Sequence, residues 1–166
     1  MATSDMFLKA TGERTGEIVG ESTDKRFTSQ MDIIDWGWGM TAPSAVGGTR
    51  TGRALMSDVK IVKRVDKAST ALMSVMKNNE ILSTAVLSVR KAGGVNAALP
   101  YYVMTMTQAR ITAYEVRSDF NAEGSPTLTE HLTLGFKSVT IDYTAQSDTG
   151  GSMGSSSFSA EAAPQQ

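Results

Sequence analysis

The spacing of apolar residues changes once, sharply, within residues 57–94, and that change restricts what the chain can become. Val59, Ile61 and Val65 alternate with Asp58, Lys60 and Arg64, the period of a strand with one buried face. Ala68, Ala71, Leu72, Val75 and Met76 then fall three and four apart, the stripe of an amphipathic helix. Ser69 is the expected N-cap, with Asp66 as the competing choice. Asn78 and Asn79 close the other end, where a left-handed residue is wanted. Ala85, Leu87 and Val89 restore the period of two before the KAGG turn at 91–94. A helix this short, between two half-buried strands, has to pack on a sheet.

Elsewhere only strands and loops are expected. Residues 5–11 read as a first strand, and 12–30 as a loop or hairpin edge rich in Gly, Thr, Ser and charge. Residues 31–40 read as a strand with Ile34, Trp36, Trp38 and Met40 on one face. Ile33, Asp35, Gly37 and Gly39 share the other. Two indoles on one side belong in a core, which turns Asp35, Gly37 and Gly39 outward. Residues 41–56 form a long loop with Pro43, Gly47, Gly48 and Gly52. Residues 101–114 alternate as a long strand, and 115–127 read as a loop containing Gly124 and Pro126. Leu128, Leu132, Leu134 and Phe136 share one parity, whereas Val139, Ile141 and Tyr143 share the other. The slip at 137–138 implies a β-bulge or a bend between sheets. After 145 only Met153 and Phe158 are large and apolar, so 147–166 is expected to be a disordered tail behind a domain at 1–146. The fold class is mostly β: an antiparallel β-barrel of two packed sheets with one flanking α-helix.

Composition removes several kinds of chemistry. The 166 residues include no cysteine, which excludes disulfides, thiol catalysis and cysteine-based metal sites. A net charge of −1 argues against a nucleic-acid partner. No apolar run reaches the length of a membrane span, and the N-terminus lacks the basic and apolar regions of a signal peptide, so a cytoplasmic protein without membrane insertion is expected. GWGMTA (37–42) matches G-x-G-x-x-A, but Pro43 and a glycine-rich loop follow where dinucleotide binding needs a helix. His131 is the sole histidine, without the companions of a triad or a two-histidine metal site. Lys60, Lys63, Arg64 and Lys67 cluster at the strand–helix junction, as an anion patch, a solvated face or one half of a contact with another subunit. No residue stands out as catalytic, cofactor-binding or metal-ligating, and no cofactor is expected.

Several separated motifs carry a resemblance. VDKAS at 65–69, ALM at 71–73 and L-x-VRKAGG at 87–94 are accompanied by MFLK at 6–9, GES at 20–22, DIIDWGWGM at 32–40 and DYTAQ at 142–146. In this order and spacing they resemble the haemolysin-coregulated protein (Hcp) family, the tube protein of bacterial type VI secretion. Thr70 stands where that family often has Pro, and Asn79 where it often has Gly. The resemblance implies a helix-flanked β-barrel that forms hexameric rings with copies of itself. The rings stack as an inner tube, and the tube is expelled from the cytoplasm through the type VI apparatus. Sheath and spike components and small effector proteins in the lumen are the implied partners. It further implies that the loop with Pro43, Gly47, Gly48, Arg50, Gly52 and Arg53 reaches the next ring, and that Asp35, Gly37 and Gly39 face the lumen. An effector or hydrolase variant on the same scaffold, and a monomeric binding module, are the alternatives.

Overall fold

The computed structural model describes residues 5–42, 54–91, 99–146 and 152–162. In chain order the elements are β1 (Met6–Gly12), β2 (Gly16–Ile18), β3 (Met31–Gly37), β4 (Met40–Thr41), β5 (Leu55–Met56), β6 (Val59–Arg64), α1 (Ser69–Lys77), β7 (Leu82–Val89), β8 (Tyr102–Phe120), β9 (Pro126–Gly135), β10 (Ser138–Gln146) and β11 (Ser152–Glu161). All strand pairings are antiparallel. The main sheet runs β11-β10-β8-β7-β1-β3-β6-β9, and a further pairing of β8 with β9 closes it into a barrel. β4 and β5 form a separate two-stranded ribbon.

Closure depends on one bent hairpin. β8 is 19 residues long. Its first half pairs with β10, and its second half pairs with β9. Inward parity changes on both strands at the same place. Met104 and Met106 are buried before Gln108, and Ala109 and Ile111 after it; Leu132 and Leu134 precede Lys137, and Val139 follows. Gln108 takes a left-handed φ of 47°, and the Lys137 amide donates to the Thr107 carbonyl at 3.1 Å. The phase slip read at 137–138 is therefore a bend from one sheet to another.

α1 lies with Ala68, Leu72 and Val75 buried against the barrel, as its stripe requires. Asn79 adopts φ 52° just past the helix, the left-handed stop expected of it. The helix start is a correction. Ala68 occupies the N-cap and offers no side-chain acceptor, while Ser69 is already helical. Asp66 does the capping instead: its Oδ1 accepts from the Ala68 amide at 2.9 Å.

Three other expectations change. Residues 115–120 continue β8, and Pro126 already begins β9, so the loop expected over 115–127 shrinks to a short turn. There the Asn121 side chain accepts from the Glu123 and Ser125 amides, at 3.1 and 2.8 Å. No buried face marks this arm in the sequence, because it projects beyond the core. Second, Ser152–Glu161 is a strand, although a disordered tail is expected there. Its Ser-rich sequence buries little, but its backbone bonds along β10 and Phe158 sits opposite Ile141. Third, Val65 is 38 % exposed. The inward position that continues Val59 and Ile61 is Lys63, fully buried.

Lys63 is held by complete pairing. Its Nζ donates to the Arg64 carbonyl and Asp66 Oδ1, each at 2.9 Å, and to Glu130 Oε1. Glu130, opposite Lys63 across β6 and β9, also accepts from Ser69 Oγ at 2.8 Å and from the Tyr114 hydroxyl. Burial and the neighbouring Glu130 carboxylate push the Tyr114 phenol well above its ordinary value. The cluster joins β6, β8, β9 and the start of α1.

The GES segment has its own steric reason. A Cβ on Gly20 would lie 2.7 Å from the Gln30 carbonyl carbon and 2.8 Å from Met31 Cα, both backbone. The Gly20 and Ser22 amides bond to the Ser29 and Gln30 carbonyls, at 2.7 and 3.0 Å. Glu21 accepts from the Lys67 amide at 3.0 Å.

Gly20→Ala is therefore expected to lose about 1–3 kcal/mol in urea unfolding, since backbone must move to admit the methyl group. Loss below a few tenths would refute the close approach. Lys63→Met strands the buried Glu130 carboxylate and should cost about 3–5 kcal/mol. Adding Glu130→Gln removes the orphaned charge, so the double variant should recover most of that loss. A double-mutant cycle giving purely additive effects would show that the two side chains are not coupled.

Candidate assembly surface

The outward face of β3, β6, β9 and β8 is assembled rung by rung from the strand register. Asp35 pairs with Val62, Val62 with His131, and His131 with Glu115. One rung along, Gly37 pairs with Lys60, Lys60 with Thr133, and Thr133 with Ala113. An open groove of ≈ 680 Å³ crosses these rungs. Its lining carries mixed charge, from Asp35, Lys60, Glu115 and Arg117, over a largely apolar floor. Arg117 donates to Glu115 Oε2 at 2.9 Å, and that hydrogen bond holds the Glu115 carboxyl below its ordinary value. The pair is exposed, so it contributes little to stability.

The parity of this face is set by a bulge. Met31 and Ile33 point into the core, and the β3–β6 register shifts between Ile33 and Asp35. Beyond the shift Trp36 and Trp38 pack against the core, half-buried, with Trp36 tilted on Tyr102 at 5.4 Å between ring centroids. Ile34, expected beside the indoles, is instead 42 % exposed. A single unbroken alternation over 31–40 does not describe the strand.

Asp35, Gly37 and Gly39 are all exposed. Asp35 Oδ1 accepts from the Trp36 amide at 2.9 Å. Gly37 lies outside the left-handed region, and a Cβ there would meet nothing within 4 Å. Gly39 lies beyond the end of β3 and donates to Ser57 Oγ at 3.0 Å. Pro43, Gly47, Gly48, Arg50, Gly52 and Arg53 lie outside the described residues. The ends of their loop are joined by the β4–β5 ribbon, with Met40 opposite Met56 and Thr41 opposite Leu55.

The basic cluster does not form one patch. Lys63 is consumed by the buried network, whereas Lys60, Arg64 and Lys67 are exposed. His131 is half-buried on the outward rung between Val62 and Glu115. Among the described residues, no group of three His, Asp or Glu side chains is placed to hold a metal ion.

Sequence reasoning missed a second anchor, at the N-terminal end. Arg90 donates from Nε to Asp5 at 3.1 Å, pairs with Asp24 at 2.5 Å, and lies 5.2 Å from the Phe7 ring centroid. Phe7 stacks on Phe27 at 4.3 Å. Burial alone would raise the Asp24 carboxyl, but Arg90 and the Arg26 and Phe27 amides outweigh it and hold it low. This clasp ties the loop before β3 to the ends of β1 and β7. The clue lay in Phe27, a lone aromatic inside a polar stretch.

Comparison with known proteins agrees with this architecture. The family model described as "Type VI secretion system effector, Hcp" matches residues 7–143. Protein hcp1 of Pseudomonas aeruginosa is 31% identical over 145 residues, covering 86% of this chain and 84% of that one. The crystal structure of a type VI secretion system effector from Yersinia pestis superposes with a TM-score of 0.69 at 25% identity, covering 95% and 99% of the two chains. Hcp1 from Salmonella typhimurium shares the fold, with a TM-score of 0.70 at 19% identity and 94% of each chain covered. The matched span takes in the closed barrel, α1 and the outward rungs, and the chain belongs to the Hcp family of type VI secretion tube proteins.

Proposed function

We propose that this chain closes into hexameric rings and that the rings stack as the inner tube of a contractile type VI apparatus. The observation that carries this reading is the family match over 7–143, which spans the whole barrel and the helix beside it. The work is mechanical and recognitional: no bond is made or broken, and no cofactor is used. The protein folds in the cytoplasm and leaves through the apparatus. Its partners are its own copies, the sheath and spike components, and small effector proteins carried in the lumen. No nucleic acid or membrane insertion enters the reading, and no described helix is long and apolar enough to cross a membrane.

Within the ring, Asp35, Gly37 and Gly39 face the lumen. Val62, His131 and Glu115 share the rung of Asp35, and so face it too. Glycines at 37 and 39 leave room for a guest, and the mixed charge of Asp35, Lys60, Glu115 and Arg117 around them suits a wall that must admit several guests. The loop with Pro43, Gly47, Gly48, Arg50, Gly52 and Arg53 reaches the adjoining ring.

Light scattering on the purified protein is expected to give the mass of a closed hexamer without added ligand or metal. Shortening the loop between β4 and β5 should leave that mass unchanged while stopping secretion. A monomeric mass throughout the micromolar range would favour a free-standing binding module. Gly37→Gln should preserve both ring mass and thermal stability, since its side chain enters open space. It should also lower the cellular level of any effector sheltered inside. Loss of the ring, or retention of ring and every effector together, would remove Gly37 from the lumen.

A further inference from the structure

His131 is the only histidine in the chain, and the barrel places it in the lining of the outward groove. It is half-buried, opposite Val62 of β6 on one side and Glu115 of β8 on the other. Histidine is the side chain that gains charge on mild acidification. A change of side-chain charge on this wall in that range therefore has a single source.

The fixed charges around the imidazole cancel. The groove is lined by Asp35 from β3, Lys60 from β6, and Glu115 and Arg117 from β8, two carboxylates and two cations. Arg64 of β6 stands one rung beyond, opposite Thr129. Glu130, the next residue on β9, points inward and is bound by Lys63, Ser69 and the Tyr114 hydroxyl. With a neutral imidazole the lining carries no net charge, and with an imidazolium it is positive.

The carboxylates are the charges already engaged. Glu115 Oε2 accepts from Arg117 at 2.9 Å, and Asp35 Oδ1 from the Trp36 amide at 2.9 Å. Among the described residues Lys60 has no carboxylate within ion-pair reach. Lys60 pairs with Thr133 and Val62 with His131, so Lys60 and His131 are diagonal neighbours on the outward face, a spacing that a long side chain spans. An anion resting over Val62 and Thr133 meets the Lys60 ammonium and the His131 ring together.

We propose that this groove receives an acidic segment of a guest protein, and that protonation of His131 tightens the contact as the pH falls. The proposal deepens the lumen reading of this face and rests on it. Lys60 attracts the segment at either pH, and the imidazolium adds a second attraction on acidification. A basic segment follows the opposite trend, because acidification only adds positive charge to the wall.

The probe is an aspartate-rich peptide with a pH-insensitive dye, whose carboxylates stay ionised across the range used. Fluorescence anisotropy at low salt follows binding at about pH 7.5 and about pH 5.5, with light scattering at both. The unmodified protein should bind more tightly at the lower pH by on the order of fivefold, the gain from one added charge a few ångströms away in water. His131→Gln should abolish the difference. His131→Lys should bind at the higher pH as the unmodified protein does at the lower. Lys60→Gln should weaken binding at both and keep the response. Circular dichroism checks the fold of each variant. Equal affinity at the two pH values, or a response that survives His131→Gln, would overturn the proposal. Unchanged affinity in Lys60→Gln would place the peptide elsewhere and overturn it too. A protein of ring mass that binds no peptide would overturn it while leaving the ring intact. A monomer that still binds in this way would keep the acidic-segment site and bring down only the ring around it.

Discussion

A buried ammonium group with all its donors engaged is the interaction on which this barrel depends. Lys63 and Glu130 face each other across β6 and β9 with no solvent access, and Asp66, Ser69, Tyr114 and the Arg64 carbonyl complete their bonds. Removing two charges from water costs several kcal/mol each, so such a pair is weak evidence of net stabilisation. Its effect is on register. Sliding β9 by one residue along β6 would place Thr129 or His131 against Lys63 and turn Glu130 outward, leaving an unpaired buried charge. Leucines at 132 and 134 could tolerate a slip of two; Lys63 could not.

The same network starts the helix. α1 has no side-chain cap of its own at Ala68 and no acidic residue in its first turn. Asp66 supplies the missing acceptor while also holding Lys63, and Ser69 receives the Asp66 amide at 2.9 Å while donating to Glu130. Capping and strand pairing are thus one structure. Fixing the inward parity of β6 and β9 also fixes the outward one. Val62 and His131 must share the rung that Asp35 and Glu115 complete, so the exposed surface follows from the buried pair.

Much of this was legible in the sequence, for identifiable reasons. The stripe of Ala68, Leu72 and Val75 and the stop at Asn79 are local signals, and local signals survive tertiary context. The barrel class follows from alternation, and the bend near 137 follows from a change of parity. Apart from the helix start, the misreadings share a physical cause, because they rest on counting apolar residues. Lys63 and Glu130 look like surface residues until their positions on two paired strands are seen to be inward together. The arm at 115–120 and β11 bury too little to carry an apolar pattern, and their order comes from backbone hydrogen bonds to a neighbouring strand. Ile34 and the tryptophans are separated by a bulge that conserves hydrophobicity while reversing faces. Asp35, Gly37 and Gly39 are exposed nonetheless, since the bulge lies before them.

The bent hairpin sets how the two sheets of the barrel meet. The far half of β8 pairs with β9, and its near half carries β10 and, through it, β11. Between the halves Gln108 occupies a left-handed conformation that costs a non-glycine residue on the order of 1–2 kcal/mol. Two features retain it. Lys137 donates to the Thr107 carbonyl across the hairpin, and the parity change buries Met106 and Ala109 on either side of the bend. Straightening β8 would restore favourable dihedrals at Gln108 but would turn either Met104 and Met106 or Ala109 and Ile111 out of the core. Burying a methionine or isoleucine side chain contributes roughly 1.5–3 kcal/mol, so the bend is retained by packing. The angle between the two halves of β8 is therefore set in the core, by the same side chains that close the barrel.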